Sequence, residues 1–126
     1  MTPDEALRAV RATCSALPEV EERLSHGART FFVRGKKSFV MVWPAGHHDD
    51  DFPHLWCAAP LGAQEALIGS DSRRFFRPPY VGHRGWVGVR LDRGLTASEL
   101  AELCVDAYRT VAPATLVRRL DAEGVG

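Results

Sequence analysis

Two copies of one helix-start signature, Thr2-Pro3-Asp4-Glu5 and Thr96-Ala97-Ser98-Glu99, bracket the chain. In each, the threonine hydroxyl accepts from the backbone three residues on while the glutamate reaches back to the threonine N–H, a reciprocal cap found at helix N-termini. Pro3 suits the first helical position, where its missing N–H costs nothing. Leu7, Val10, Cys14 and Leu17 then fall on one stripe, and the first helix ends before Pro18. After the second signature, Leu100, Leu103, Cys104, Ala107, Tyr108 and Val111 form an unbroken stripe with acids early and Arg109 late. Pro113 interrupts it, and TLVRRL adds a last turn or two. Each helix has one apolar face, so the residues between must supply a surface for both.

Those residues change period. Glu22 to Ser25 reads as a short strand and Arg29 to Val33 as a clearer one, joined across the Gly35 to Lys37 turn to Ser38 to Trp43 (SFVMVW). Pro44 and Gly46 stop that strand, and a polar loop leads to another at His54 to Ala59. AQEALIGSD suits a brief helix ending near Gly69, and Trp86 to Leu91 alternates as a final strand. The predicted fold is α+β with two layers: an antiparallel sheet of about five strands packed on one face by the N- and C-terminal helices.

The 126 residues, 45% apolar and 25% charged, suit one domain spanning 1–126. Acids rather than basic residues lead the N-terminus, and no apolar run is long enough to span a bilayer, so a cytoplasmic location and no membrane partner are expected. Cys14, Cys57 and Cys104 are odd in number, far apart and set among apolar neighbours, which predicts buried reduced thiols. No cofactor is expected.

Basic and acidic residues balance at sixteen each, which argues against binding nucleic acid by bulk charge. Their distribution says otherwise. Arg23, Arg29, Arg34, Lys36 and Lys37 share a stretch without acids, and six arginines lie from Arg73 to Arg93 with only Asp92 among them. The second stretch contains RFFRPPYVGHRGWVGVRL, residues 74–91. Its prolines force an extended strap at Arg77-Pro78-Pro79-Tyr80. Its strand places Val87, Val89 and Leu91 on the helix-packed side and Trp86, Gly88 and Arg90 on the other. Gly88 then leaves a gap, to be filled by Phe75, Phe76 or Tyr80 folding back. Positive φ is the expected reason for Gly82, Gly85 and Gly88, which precede or enter a strand and so do not form a dinucleotide-binding loop.

Other constellations are weaker. His47, His48, Asp49, Asp50, Asp51 and His54 crowd one segment, but adjacent ligands on a loop rarely converge on one ion, so a solvated loop without metal is predicted. Ser25-His26 lacks a nucleophile elbow or a spaced acid–base pair, and no catalytic residues are assigned. Trp43, Trp56 and Trp86 lie on strands and are chiefly core. If one or two face away from the helices beside arginines, they form a stacking platform for exposed bases.

The segments LPEVEERLSHGARTFFVRGKKSFV, SDSRRFFRPPYVGHRGWVGVRL and AELCVDAYRTVAP closely resemble the MmcQ/YjbR family of small bacterial proteins, in its order and spacing. The motif positions that match include Gly35, Lys36, Phe76, Pro79, Tyr80, Gly85 and Trp86. The acidic, histidine-rich GHHDDDFPH loop and the DAEGVG ending depart from the pattern. The resemblance implies a compact α+β fold similar to secretion chaperones and frataxin-like proteins. It also implies a DNA-binding label that rests on likeness to the double wing of a phage transcription factor, and no established reaction.

The leading expectation is a non-enzymatic, monomeric DNA-binding domain. Arg34, Lys36 and Lys37 meet phosphates, Arg77, Arg84 and Arg90 line a second contact with His83, and Tyr80 or Trp86 packs on sugar or base. About five phosphate contacts make affinity fall some hundreds-fold between 50 and 200 mM salt. The alternative is a protein- or peptide-binding module using the exposed sheet face, which requires a contiguous apolar patch. A third reading, an enzyme of unknown substrate, requires His83, Arg84 and Tyr80 in one pocket with a carboxylate.

Overall fold

The computed structural model describes residues 1–47 and 50–123. Both capping boxes form as the sequence dictates. Thr2 caps α1 (Pro3–Ser15) and Thr96 caps α3 (Ala97–Val111), each threonine accepting from the backbone of the glutamate that bonds back to it. Between them lie β1 (Val20–Ser25), β2 (Ala28–Val33), β3 (Lys37–Trp43), β4 (His54–Cys57), α2 (Ala63–Ser70), β5 (Phe75–Phe76) and β6 (Val87–Arg90), and α4 (Ala114–Ala122) follows. The strands form one antiparallel sheet in the order β1-β2-β3-β4-β6-β5. The sheet has six strands rather than about five, because the two residues Phe75 and Phe76 pair with the far edge of β6. So short a strand carries no periodicity to read.

Short turns set the meander. His26 and Gly27 join β1 to β2, and Arg34, Gly35 and Lys36 join β2 to β3, with positive φ at His26, Gly27, Arg34 and Gly35, the backbone a tight antiparallel hairpin needs. Within the β2–β3 ladder the register slips: Phe31 faces Val40 but Phe32 faces Ser38, leaving Phe39 as a bulge. Strict alternation would align Phe39 with Met41 and Trp43. The bulge instead turns Phe39 toward α3, where its ring meets Tyr108 edge-on at 5.6 Å.

Alternate rows across the sheet therefore belong to two faces. Phe31, Val40, Cys57 and Val87 form one inner row, and Arg29, Val42, Leu55, Val89 and Phe75 the next. α1 and α3 pack together over this side, α3 against β3 and β4. Tyr108, fully buried, donates its hydroxyl to the Pro18 carbonyl at 2.9 Å and so ties α3 to the end of α1. The three cysteines are buried here as free thiols. Burial raises Cys57 well above the ordinary thiol value, and contact with Cys104 raises Cys14.

At the sheet edge the inner face carries charge. Glu22 of β1 accepts three bonds from Arg11 of α1, at 2.9–3.1 Å, and a fourth from Arg29 of β2 at 2.6 Å. These bonds, Arg11 foremost, hold the Glu22 carboxyl below its ordinary value. A carboxylate depressed by folding adds stability above its unfolded pKa near ~4.3 and loses it as pH falls through the folded value. Glu22→Gln is therefore expected to cost about 1–2 kcal/mol at pH 7. The deficit should shrink in acid below about pH 4, as read by urea unfolding across pH; a deficit independent of pH would remove the electrostatic account.

Candidate functional site

The outer rows run opposite the helices. Arg23, Thr30, Met41, Trp56, Gly88 and Phe76 form a single row across all six strands, with Trp43, His54 and Arg90 in the next. Two of the three tryptophans, Trp43 and Trp56, thus lie on the face without helices, and both are buried. Their rings meet at 4.3 Å, and His47 and His54 stack on Trp43 at 4.6 and 5.2 Å. The segment from His47 is accordingly not a solvated loop: His54 is a fully buried strand residue, and His47 is held over Trp43. His48 and Asp49 lie outside the described residues. Among those described, no group of histidines, cysteines and carboxylates is placed to hold a metal ion.

His54 bonds through Nδ1 to the Phe52 carbonyl at 2.7 Å, while its Nε2 is buried without a hydrogen-bond partner. Burial lowers its pKa, which favours the neutral ring. The indole N–H of Trp56 is likewise buried and unpartnered. An unmet buried donor costs about 1–3 kcal/mol.

Over this floor lies a cleft of about 610 Å³, lined by Thr30, Met41, Trp43 and Trp56 below and by Tyr80 and Arg84 at the rim. Pro78 is buried, and the strap carries Tyr80 out to the mouth, where the side chain is 76% exposed and its ring stands 6.5 Å from that of Trp56. Tyr80 has φ +65°, and Val81 N–H donates to the Pro79 carbonyl across it at 2.7 Å, a tight three-residue turn of the strained kind. Strain of this sort is retained where neighbouring structure enforces it, often at binding sites.

Glycines in the strap region answer to space as much as to conformation. Gly85 needs its positive φ, closing the 3-10 turn Gly82–Arg84. Gly82 and Gly88 do not have positive φ, so the expectation for them was wrong. A Cβ on Gly82 would strike the Arg77 stem at 2.7 Å, and one on Gly88 would fall 2.3 Å from the Phe76 ring. Phe76 is what fills the gap at Gly88.

The residues expected from the sequence to contact DNA separate into two groups. Arg34 is spent on Glu19 at 3.1 Å, and Arg90 on Asp92 with two bonds of 2.8–2.9 Å while lying over Phe52. Trp86 is buried, with the Arg84 guanidinium 5.4 Å from its ring centre. These three cannot present themselves to phosphate or base without losing existing contacts. Lys36, Lys37, Arg77, His83 and Arg84 are exposed and have no carboxylate partner among the described residues, and Tyr80 is exposed as well. β3 begins and β6 begins at one end of the sheet, since Val40 and Val87 both face Cys57. The lysine turn and the 3-10 turn therefore emerge at that same end.

A second, smaller cavity of about 360 Å³ opens on the other side of Arg84, lined by Gln64, Glu65, Arg77, Gly82 and His83 among others. His83 lines this cavity and Tyr80 the aromatic cleft, and Arg84 lines both.

With this geometry in place, the comparisons with known proteins can be read. The YjbR family matches residues 15–110. The chain belongs to that family. Among solved structures, the Deinococcus radiodurans protein DR2400, with a DUF419 domain, superposes with a TM-score of 0.73 at 19% identity, covering 95% of this chain and 91% of that one. That likeness shows the YjbR protein's α+β fold and nothing of its activity. A search of curated proteins finds no match. No helix among the described residues is long and apolar enough to cross a membrane.

The packing of Phe76 on Gly88 is open to a direct test. Gly88→Ala is expected to destabilise the protein by about 1–3 kcal/mol through overpacking, measured by urea unfolding. In a Phe76→Ala background the same change should cost much less; equal costs in both would show that the ring is not what the glycine accommodates.

Proposed function

We propose that this YjbR protein is a non-enzymatic, cytoplasmic, bacterial DNA-binding protein that acts as a monomer and takes unpaired bases at the outer face of its sheet. The observation that carries the reading is the aromatic-floored cleft with an exposed tyrosine and an unpaired guanidinium at its rim. Sequence-tolerant binding of single strands combines aromatic rings on which bases stack with cations that track the backbone. Tyr80 supplies the accessible ring over the Trp56 and Met41 floor, and Arg84, Lys36 and Lys37 supply cations at the same end of the sheet.

Duplex binding has less support. Arg34 and Arg90 are held in ion pairs, and Arg23 and Arg29 are bonded to Glu21 and Glu22. The five contacts expected from sequence fall to about three, and the salt dependence weakens with them. The protein-binding alternative is not favoured either: of the exposed large apolar residues, Leu24 alternates with the outer-row Arg23 and so belongs to the helix side of β1, whereas Tyr80 stands at the mouth of the cleft on the other face.

Titration of oligothymidylate and of a duplex of equal length by fluorescence anisotropy tests the proposal. Single strands are expected to bind more tightly, with affinity falling roughly twenty-fold between 50 and 200 mM salt for three contacts at the single-strand slope. Tyr80→Ala should cost about tenfold from lost stacking. Absence of binding at 50 mM salt, or equal affinity for the duplex, would overturn the reading.

A further inference from the structure

Arg84 lines both cavities, the aromatic cleft on one side and the smaller basic one on the other. A shared residue makes the two adjacent parts of one surface. The first is largely apolar and aromatic; the second, of mixed character, carries three basic side chains, Arg77, His83 and Arg84, against a single acid, Glu65.

Most arginines of this chain are neutralised where they stand. Arg11, Arg23, Arg29, Arg34, Arg74, Arg90, Arg109 and Arg119 each touch a carboxylate. In a chain of zero net charge, cations left uncompensated beside one cavity define the local field. Arg77 bonds only to a neutral group, the Gln64 side-chain oxygen at 3.4 Å. Gln64 is itself fixed. It is 4% exposed, and its amide donates to the Gly82 and Trp86 carbonyls at 2.8 and 2.6 Å. Because Gly82 has no side chain, the Arg77 stem lies directly on the 3-10 turn. The Arg77 stem is thus packed in place before any ligand arrives, with the guanidinium keeping one long bond to Gln64, which lowers the ordering cost of binding.

We infer that the paired cavities form a site for a nucleoside monophosphate unit, its base in the aromatic cleft and its phosphate in the basic cavity among Arg77, His83 and Arg84. This rests on the base-binding reading above and adds a ligand group to it. Planar guanidinium groups match a terminal phosphate, which carries more charge and more free oxygens than a bridging phosphodiester. The same chemistry is offered by a free mononucleotide and by the phosphorylated end of a strand.

NMR titration following the indole N–H signals, with thymidine, its 5′- and 3′-monophosphates and inorganic phosphate, tests the site. One monophosphate is expected to bind about tenfold tighter than the nucleoside, the effect of a charge-assisted phosphate contact. That ratio should fall toward one in Arg84→Gln, fall partway in His83→Gln, and recover partly in Arg84→Lys. Oligothymidylate with and without a terminal phosphate separates the two sources: a gain confined to the oligonucleotide assigns the site to strand ends, and a gain confined to the mononucleotide assigns it to free nucleotides. If oligonucleotides bind but a phosphate changes nothing in either form, the inference is overturned and the base-binding function stands. If neither nucleosides nor oligonucleotides bind, both fall together.

Discussion

A six-stranded sheet with its helices on one side must cover its other side from its own loops, and that requirement shapes most of what is distinctive here. α1 and α3 bury the inner rows, and nothing comparable lies over Trp43, Trp56 and Met41. The chain meets the need with a strap, Arg77 to Tyr80, whose prolines fix it as extended at little entropic cost because they restrict the unfolded chain as well. Phe76, just before it, settles on Gly88 and closes the far end of the outer row. The strap covers the sheet incompletely, and the space it leaves is the cleft.

The bulge at Phe39 matters for the same reason. By turning two successive residues, Phe39 and Val40, toward the helices, it gives the inner core the ring that meets Tyr108. It also puts Ser38 rather than a second phenylalanine beside the cleft. A regular β3 would place Phe39 on the outer face, leaving a hole beneath α3. One inserted residue thus serves both layers.

Much of this was legible in the sequence, where the signal is local. The capping boxes at Thr2 and Thr96 fix two helices, and the alternation in SFVMVW and WVGVRL fixes two strands and the direction of Val87 and Val89. Arg90 was also readable as a tied residue, since its partner Asp92 lies two positions on. Non-local pairings were not readable. Arg34 meets Glu19 across the hairpin, and β5 exists only because Phe75 and Phe76 find β6 after an intervening loop. The histidines misled for a different reason. A polar segment rich in His and Asp reads as solvated, yet imidazole stacks on indole readily, and the neighbouring tryptophans outweigh the polar composition.

Neutral net charge takes on a different meaning once the pairings are known. It does not describe a surface of evenly mixed charge, because acids have been assigned to particular arginines: Glu22 to Arg11 and Arg29, Glu19 to Arg34, Asp92 to Arg90. Of the cations that escape such pairing, Lys36, Lys37, Arg77 and Arg84 lie at the lysine turn and around the 3-10 turn, at one end of the sheet, while Arg8, Arg73, Arg93 and Arg118 are exposed elsewhere. Packing keeps Arg77 there, since Gly82 admits its stem and Gln64 gives it a neutral partner in place of an acid. A glutamate at position 64 would cancel the charge of the guanidinium and could not donate to the Gly82 and Trp86 carbonyls. The buried amide holds the position and leaves the charge available, which is the arrangement an anionic ligand requires.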